Sequence, residues 1–216
     1  MTQNVTLGAT YRWIQLSTGY NRIKDKVINV TSLYDEENPT IMLMSLANAP
    51  TYDKVFAGLT VAPTIGFWRP QWRFQVTKQW YTTQTPQGPL KLNNPMGTIT
   101  WNNNLQLPWG ILLDVDFLYK TKGDIQNGRF LKPSWRADLS LQKSFLNDNL
   151  TIQLDAWNVL DSYKRSFIMY VSDRQTMQMD EHSTHCQARL TIRYKFNASK
   201  SKYKGTGAGQ EQKSRM

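Results

Sequence analysis

The stretch ARLTIRYKF places Ala188, Leu190, Ile192, Tyr194 and Phe196 on one parity, and Arg189, Thr191, Arg193 and Lys195 on the other. A period of two is what a β-strand with one apolar and one polar face requires. The pattern recurs along the chain and predicts about nine strands. These are Val5–Tyr11, Trp13–Ser32, Thr40–Ile65, Gln71–Thr82, Gly97–Leu107, Gly110–Lys122, Lys132–Leu146, Leu150–Leu160 and a last strand over Gln187–Phe196. Almost nothing repeats at helical spacing, so the chain reads as all-β and antiparallel.

Two kinds of connection alternate between these strands. PWG at Pro108–Gly110 and NDN at Asn147–Asn149 are tight turns, and GFWRPQ from Gly66 is slightly longer. Between them lie long polar loops, over Thr82–Gly97, Lys122–Ser134 and Asp161–Cys186. Short turns at one end and long loops at the other match a transmembrane β-barrel. The last loop has its own alternating stretch, Phe167–Met179, expected as a hairpin that prolongs the strands.

Alternation alone fits a soluble β-sandwich binding module equally well, with the apolar faces packed together. The aromatics separate the two readings. Trp72 and Trp80 stand at opposite ends of one apolar face, and Trp135 and Phe145 of another. On tilted strands each pair spans about 20 to 25 Å along a barrel axis, close to the height of a bilayer's apolar band. Trp72, Phe145, Tyr194 and Phe196 then collect at the tight-turn rim, and Trp80, Tyr119 and Trp135 at the long-loop rim, as two membrane girdles. Lys78 and Lys143 lie on the apolar parity, each two residues from a girdle aromatic, where a long side chain reaches the headgroups. Asn103 on the apolar parity has no explanation in the sequence. On the polar parity, Arg73, Asp114, Asp116, Arg136, Asp138, Arg189 and Arg193 are expected to line a lumen, with Asp114 and Asp116 in salt bridges to Arg or Lys on neighbouring strands.

Composition changes this picture little. No segment approaches the roughly 18 uncharged apolar residues of a spanning helix, whereas a barrel strand needs only about 10. The formal charge is +10, but the cations are spread over strand faces and the chain end, so nucleic acid is not an expected partner. Cys186 is the single cysteine and makes no internal disulfide. The first residues show no secretory signal pattern.

Three stretches carry a family resemblance. WRADLSLQKSFLNDNLTIQLDAWNVLD followed by ARLTIRYKFNASKSKYKGTGAGQEQKSRM resembles the end of the TonB-dependent receptor-like outer-membrane β-barrel proteins common in Bacteroidota. YNRIKDKVINV and GFWRPQWRFQVTKQW look like the same family's barrel upstream. The resemblance implies a barrel of about 22 strands with an N-terminal plug, energised through TonB. This chain would supply the last strands over 1–196 and a flexible basic periplasmic tail over 197–216. Phe196 would be the terminal aromatic read by the barrel-assembly machinery. TonB and the plug are partners only of a longer parent chain, so the expectation is a barrel fragment or a truncated product.

Other motifs are set aside. EHSTHC has the residue types of a metal site, but strand spacing sends His182 and His185 to opposite faces. Asp114 and Asp116 share a face without the His or Ser that hydrolytic chemistry would add. GTGAG, from Gly205 to Gly209, lacks the flanking strand and helix of a phosphate loop. The Asn-x-Ser/Thr matches at Asn4, Asn29, Asn149 and Asn197 carry no weight. The function that the resemblance implies is uptake of a bulky, unidentified nutrient across the outer membrane. No enzymatic activity and no cofactor are expected, and the partners are outer-membrane lipid and the assembly machinery.

Overall fold

The structure is a computed structural model, and it describes residues 1–33, 42–85, 88–170, 176–182 and 185–196. Nine strands form one antiparallel ladder in the order β1 (Thr2–Tyr11), β2 (Ile14–Leu33), β3 (Met42–Val61), β4 (Trp68–Thr85), β6 (Met96–Leu107), β7 (Ile111–Lys120), β10 (Ser134–Phe145), β11 (Leu150–Trp157) and β14 (Gln187–Tyr194). These are the nine strands that alternation predicts, shifted by a few residues at their ends. The short β5 (Gly88–Leu92) folds back on β4. Among the described residues β1 pairs only with β2 and β14 only with β11, so the ladder has two free edges.

Four tight turns fall at one end of this wall. In the β10–β11 turn, Leu146, Asn147 and Asp148 are all left-handed, with φ of 54°, 54° and 65°. Asn and Asp tolerate that conformation, and Leu does not favour it. Trp109 adopts φ 62° in the Pro108–Gly110 turn, where its ring is left in the open. The chain leaves the last ladder at Tyr194, two residues earlier than expected. Lys195 N still donates to Asn149 O at 2.8 Å, and Phe196 lies beyond the strand, exposed, with its ring edge-on to Tyr194 at 4.6 Å.

The register makes the strands run obliquely. The row leaving the β1–β2 turn at Ile14 continues through Val61, Trp72, Trp101 and Phe117 to Ala137. That residue lies near the opposite end of β10 from the Phe145 that flanks its own turn. Such a stagger is what a sheet needs in order to curl towards a barrel.

At the long-loop end the expected loop Thr82–Gly97 is largely the β4–β5 hairpin, and two further connections are not loops. Lys122–Ser134 contains the hairpin β8 (Gly123–Ile125) and β9 (Gly128–Phe130), where the sequence reading expected irregular chain. Asp161–Cys186 contains β12 (Arg165–Tyr170) and β13 (Thr176–Glu181), the hairpin expected from Phe167–Met179. The two hairpins join as a second sheet in the order β13-β12-β9-β8. Its centre is Phe130 against Phe167 at 4.9 Å. Gly128 is required there, because a Cβ at this position would lie 2.2 Å from the Phe167 ring. The expected tail over 197–216, including GTGAG, lies outside the described residues.

Candidate functional site

The cross-strand partners place one parity of every wall strand on one face. It carries Ala9, Leu16, Leu59, Phe74, Ile99, Tyr119 and Trp135 along one row, and Leu105, Leu113, Leu141, Leu154 and Leu190 along another. These side chains are uncovered even in the middle of the wall, with Val76 exposed by 52%, Leu141 by 44% and Leu154 by 47%. Among the described residues the buried large hydrophobics are Tyr52 and Leu92 alone. The sandwich alternative needs the apolar face to be covered, and here it is the outside of the wall.

Small residues on that face leave an apolar trough of about 480 Å³. Ala9 and Ala57 sit there between Leu7, Leu16, Leu59, Phe74 and Val76. Above it the apolar rows end at a polar knot, where Tyr20 Oη donates to Asp53 Oδ1 at 2.6 Å and Arg22 lies 3.6 Å from the same carboxylate. Beyond the knot β2 and β3 continue, their 20 residues being twice the roughly 10 that a bilayer requires.

The residues expected as girdles all stand on or beside this face. Trp72 meets Trp68 edge-on at 6.0 Å, and Trp135 lies 6.1 Å from Phe117. Lys78 Nζ stands 5.3 Å over the Trp80 ring, and Lys143 Nζ 5.1 Å over Phe145. Trp101 and Phe117 extend the row of Trp72 across mid-strand, which terminal aromatics alone do not anticipate. Asn103 now has its account. Trp68 Nε1 donates to its Oδ1 at 3.0 Å, its own Nδ2 donates to Val115 O at 3.0 Å, and the amide is buried. A polar residue on an apolar face is tolerated when every hydrogen-bonding group is satisfied.

The opposite face is polar. Register aligns Asn104, Asp114, Ser140, Asp155 and Arg189 in one row across five strands. Asn104 Nδ2 donates to Asp114 Oδ1 at 2.6 Å, and Asn102 Nδ2 to Asp116 Oδ1 at 2.7 Å. The expected salt bridges of Asp114 and Asp116 are absent among the described residues, because amides and not cations occupy the facing positions of β6. Asp138 does pair, with Arg136 at 2.9 Å, and it also accepts Asn158 N at 2.8 Å. Arg189 donates to Asp155 at 3.1 Å and stacks over Trp157 at 4.8 Å. Arg73 and Arg193 are exposed on this face, facing Thr60 and Thr100, and Thr151, respectively.

Asp155 is the residue that the sequence reading left out. Its carboxylate is buried and takes Ser140 Oγ and Gln153 Nε2, each at 2.7 Å, besides Arg189. Its parity was visible, but its partners follow only from register. Asp114, Asp116, Asp138 and Asp155 line a recess of about 390 Å³ together with Arg69, Gln71 and Trp157. Arg69 lines it too, and Arg136 and Arg189 pair with Asp138 and Asp155, so its acidic excess rests on Asp114 and Asp116, which meet amides. Asp116 and Asp138 lie directly opposite each other, an arrangement that costs stability unless something cationic or a donor network offsets it.

The second sheet is anchored to this polar face. Gln79 of β4, fully buried, donates Nε2 to Gln126 O at 2.8 Å and accepts Gln126 N at 2.7 Å, while Tyr52 Oη donates to the same amide oxygen at 3.0 Å. Asp124 is buried beside it, bound by Arg129 Nε at 2.5 Å and by Asn94 N at 2.8 Å. That pairing raises the pKa of Arg129 further, its hydrogen bond to Asp124 outweighing partial burial. The β8–β9 turn is thereby held against the wall at the long-loop end.

No curated protein and no solved structure matches the chain. Residues 1–194 match the outer membrane protein beta-barrel family, a span that takes in all fourteen strands among the described residues. An antiparallel ladder with its apolar side chains turned outward and its polar network inward is the wall such a barrel requires, and this chain belongs to the outer membrane protein beta-barrel family, with its place in the outer membrane.

Proposed function

We propose that the chain forms part of the wall of a TonB-dependent receptor that takes up a polar nutrient across the outer membrane. The observation that carries this reading is the acidic recess on the polar face, with a folded sheet anchored above it by Gln79. A wall that only closed a barrel would need neither. The chemistry is binding and passage, without bond-making: the carboxylates of Asp114 and Asp116 attract cationic or hydroxyl-rich solute, and Asp138, Asp155, Arg73, Arg136, Arg189 and Arg193 shape the rest of the wall potential. Trp72, Trp80, Tyr119, Trp135, Phe145 and Tyr194 anchor the apolar face in lipid. Phe196 serves the assembly machinery, and the basic residues of 197–216 lie in the periplasm.

An antibody raised to SKSKYKGTGAGQEQK tests this on outer membranes of the source cells. The expected result is a band well above 25.1 kDa that changes mobility on boiling and cross-links to TonB. A 25.1 kDa band with no TonB adduct overturns the receptor reading and leaves a stand-alone membrane protein.

A further inference from the structure

EHSTHC looked unfit for metal because an extended strand would separate its histidines. The structure removes that objection. β13 ends at Glu181, and from His182 the backbone leaves the ladder, so parity no longer governs where the rings point. The rings of His182 and His185 meet edge-on, with centroids 4.5 Å apart. Between them stands a residue from the other end of the same connection. His182 Nε2 lies 3.2 Å, and His185 Nδ1 3.3 Å, from the same oxygen, Asp161 Oδ1. The three donor atoms lie within 4.8 Å of one another, and all three residues are exposed at the long-loop end.

We propose that Asp161, His182 and His185 form a binding site for a borderline divalent cation of the Zn²⁺ type, with a fourth position open to water or to a solute. The donor set is two imidazoles and a carboxylate, which suits Zn²⁺ and its neighbours and not Ca²⁺ or Mg²⁺, whose sites are built from oxygen. The spacing fits as well. Zinc bonds of about 2.0 to 2.2 Å at tetrahedral angles put neighbouring donors about 3.4 Å apart. Two of the three edges already have that length. The third, between the two imidazole nitrogens, shortens by rotation of the open His185 side chain.

The carboxylate is pre-positioned. Asp161 N donates to Asn158 O at 2.8 Å, and Asn158 Oδ1 accepts Ser162 N at 3.0 Å and Tyr163 N at 3.1 Å. Asn158 N is itself tied to Asp138 of the wall at 2.8 Å. One ligand is thus fixed to the end of β11, while the two histidines precede β14, its neighbour in the wall. A bound cation clips the two ends of the β12–β13 excursion together, and closing so long a loop is where a clip stabilises most.

This site does not depend on the nutrient reading and fails separately from it. The test is titration of the untagged full-length protein in detergent with ZnCl₂ alone, followed by calorimetry, with CaCl₂ and MgCl₂ as controls. The expected result is one Zn²⁺ per chain and no heat from the hard cations. His182→Ala, His185→Ala and Asp161→Asn should each weaken binding by at least about tenfold, since loss of even an outer-shell partner costs 10- to 100-fold. Cys186→Ser should bind as the parent does. Heat-dependent gel mobility, unchanged in all four variants, shows that each has folded. Absence of Zn²⁺ binding by the parent overturns the proposal, as does binding that survives the two histidine substitutions together or disappears with Cys186.

Discussion

The wall and the sheet anchored above it follow opposite rules within one chain. In the wall, leucines and aromatics face outward and an aspartate such as Asp155 is buried on the inner face. In the second sheet, Phe130 and Phe167 pack against each other and Asp124 is closed in by the Arg129 guanidinium, as in a water-soluble protein. The difference is one of solvent. Hydrocarbon rewards an apolar exterior and leaves backbone satisfaction to the ladder, whereas water rewards an apolar interior, however small. The border between the two regimes runs through the Tyr20, Arg22 and Asp53 knot and the Gln79 anchor.

The largest effect should come from violating the wall's rule. Leu141→Arg places a charge in the middle of the apolar face and should cost about 2 to 4 kcal/mol, read as loss of the heat-modifiable band from outer membranes. The same substitution at Ile125 in the second sheet should leave that band intact, and equal losses at both sites would show that the two regions share one solvent.

Gly128→Val should next separate the regions from the other side. The new side chain meets the Phe167 ring, and overpacking of this kind costs about 1 to 3 kcal/mol. Limited proteolysis should then cut the β8–β9 and β12–β13 hairpins while the wall keeps its mobility. Gln79→Ala removes the anchor and strands the Gln126 amide and carbonyl, for about 1 to 2 kcal/mol. The same cuts should appear, confined to the β8–β9 turn, and resistance equal to the parent's would mean that the strand ladders alone hold the sheet in place.

The smallest effect is a pH dependence. Hydrogen bonds from Ser166 and Gln178 lower the pKa of Asp180 on β13 below the usual 3.8. A depressed carboxyl stabilises the folded sheet above its unfolded pKa and loses that contribution as pH falls through the folded value. Proteolysis of the β12–β13 hairpin should therefore be constant from neutral pH down to about 4 and rise only below it. In Asp180→Asn the acid-dependent rise should be smaller.

Much of the wall was legible because a strand's parity is local. Ala188 to Tyr194 declare their two faces without reference to any other strand, and so do Trp135 to Phe145. Asn103 was the exception, and it resolves only when Trp68, distant in sequence, is seen to reach it. The polar face was legible as polar but not as a site. Asp114 was expected to meet a cation, and it meets Asn104, because which residue stands opposite is a matter of register.

The loops were the least legible. Lys122 to Ser134 carries too few alternating positions to announce β8 and β9, whose pairing is completed by β12 from another connection. His182 and His185 were separated by a rule that holds only inside a strand, and the strand stops at Glu181.

By itself, then, the order of residues determined the strands, their two faces, the alternation of short turns and long connections, and the membrane as the solvent for one face. The strands and faces follow from the period of two, the connections from their turn residues and the membrane from the placement of aromatics, all of which short stretches of neighbouring residues display. Tertiary structure alone decided the oblique register, the acidic recess, the anchoring of the second sheet by Gln79, and the meeting of Asp161 with two histidines at the far end of its own connection. Those depend on contacts between segments far apart in the chain, and no local pattern encodes which residue will lie across from which.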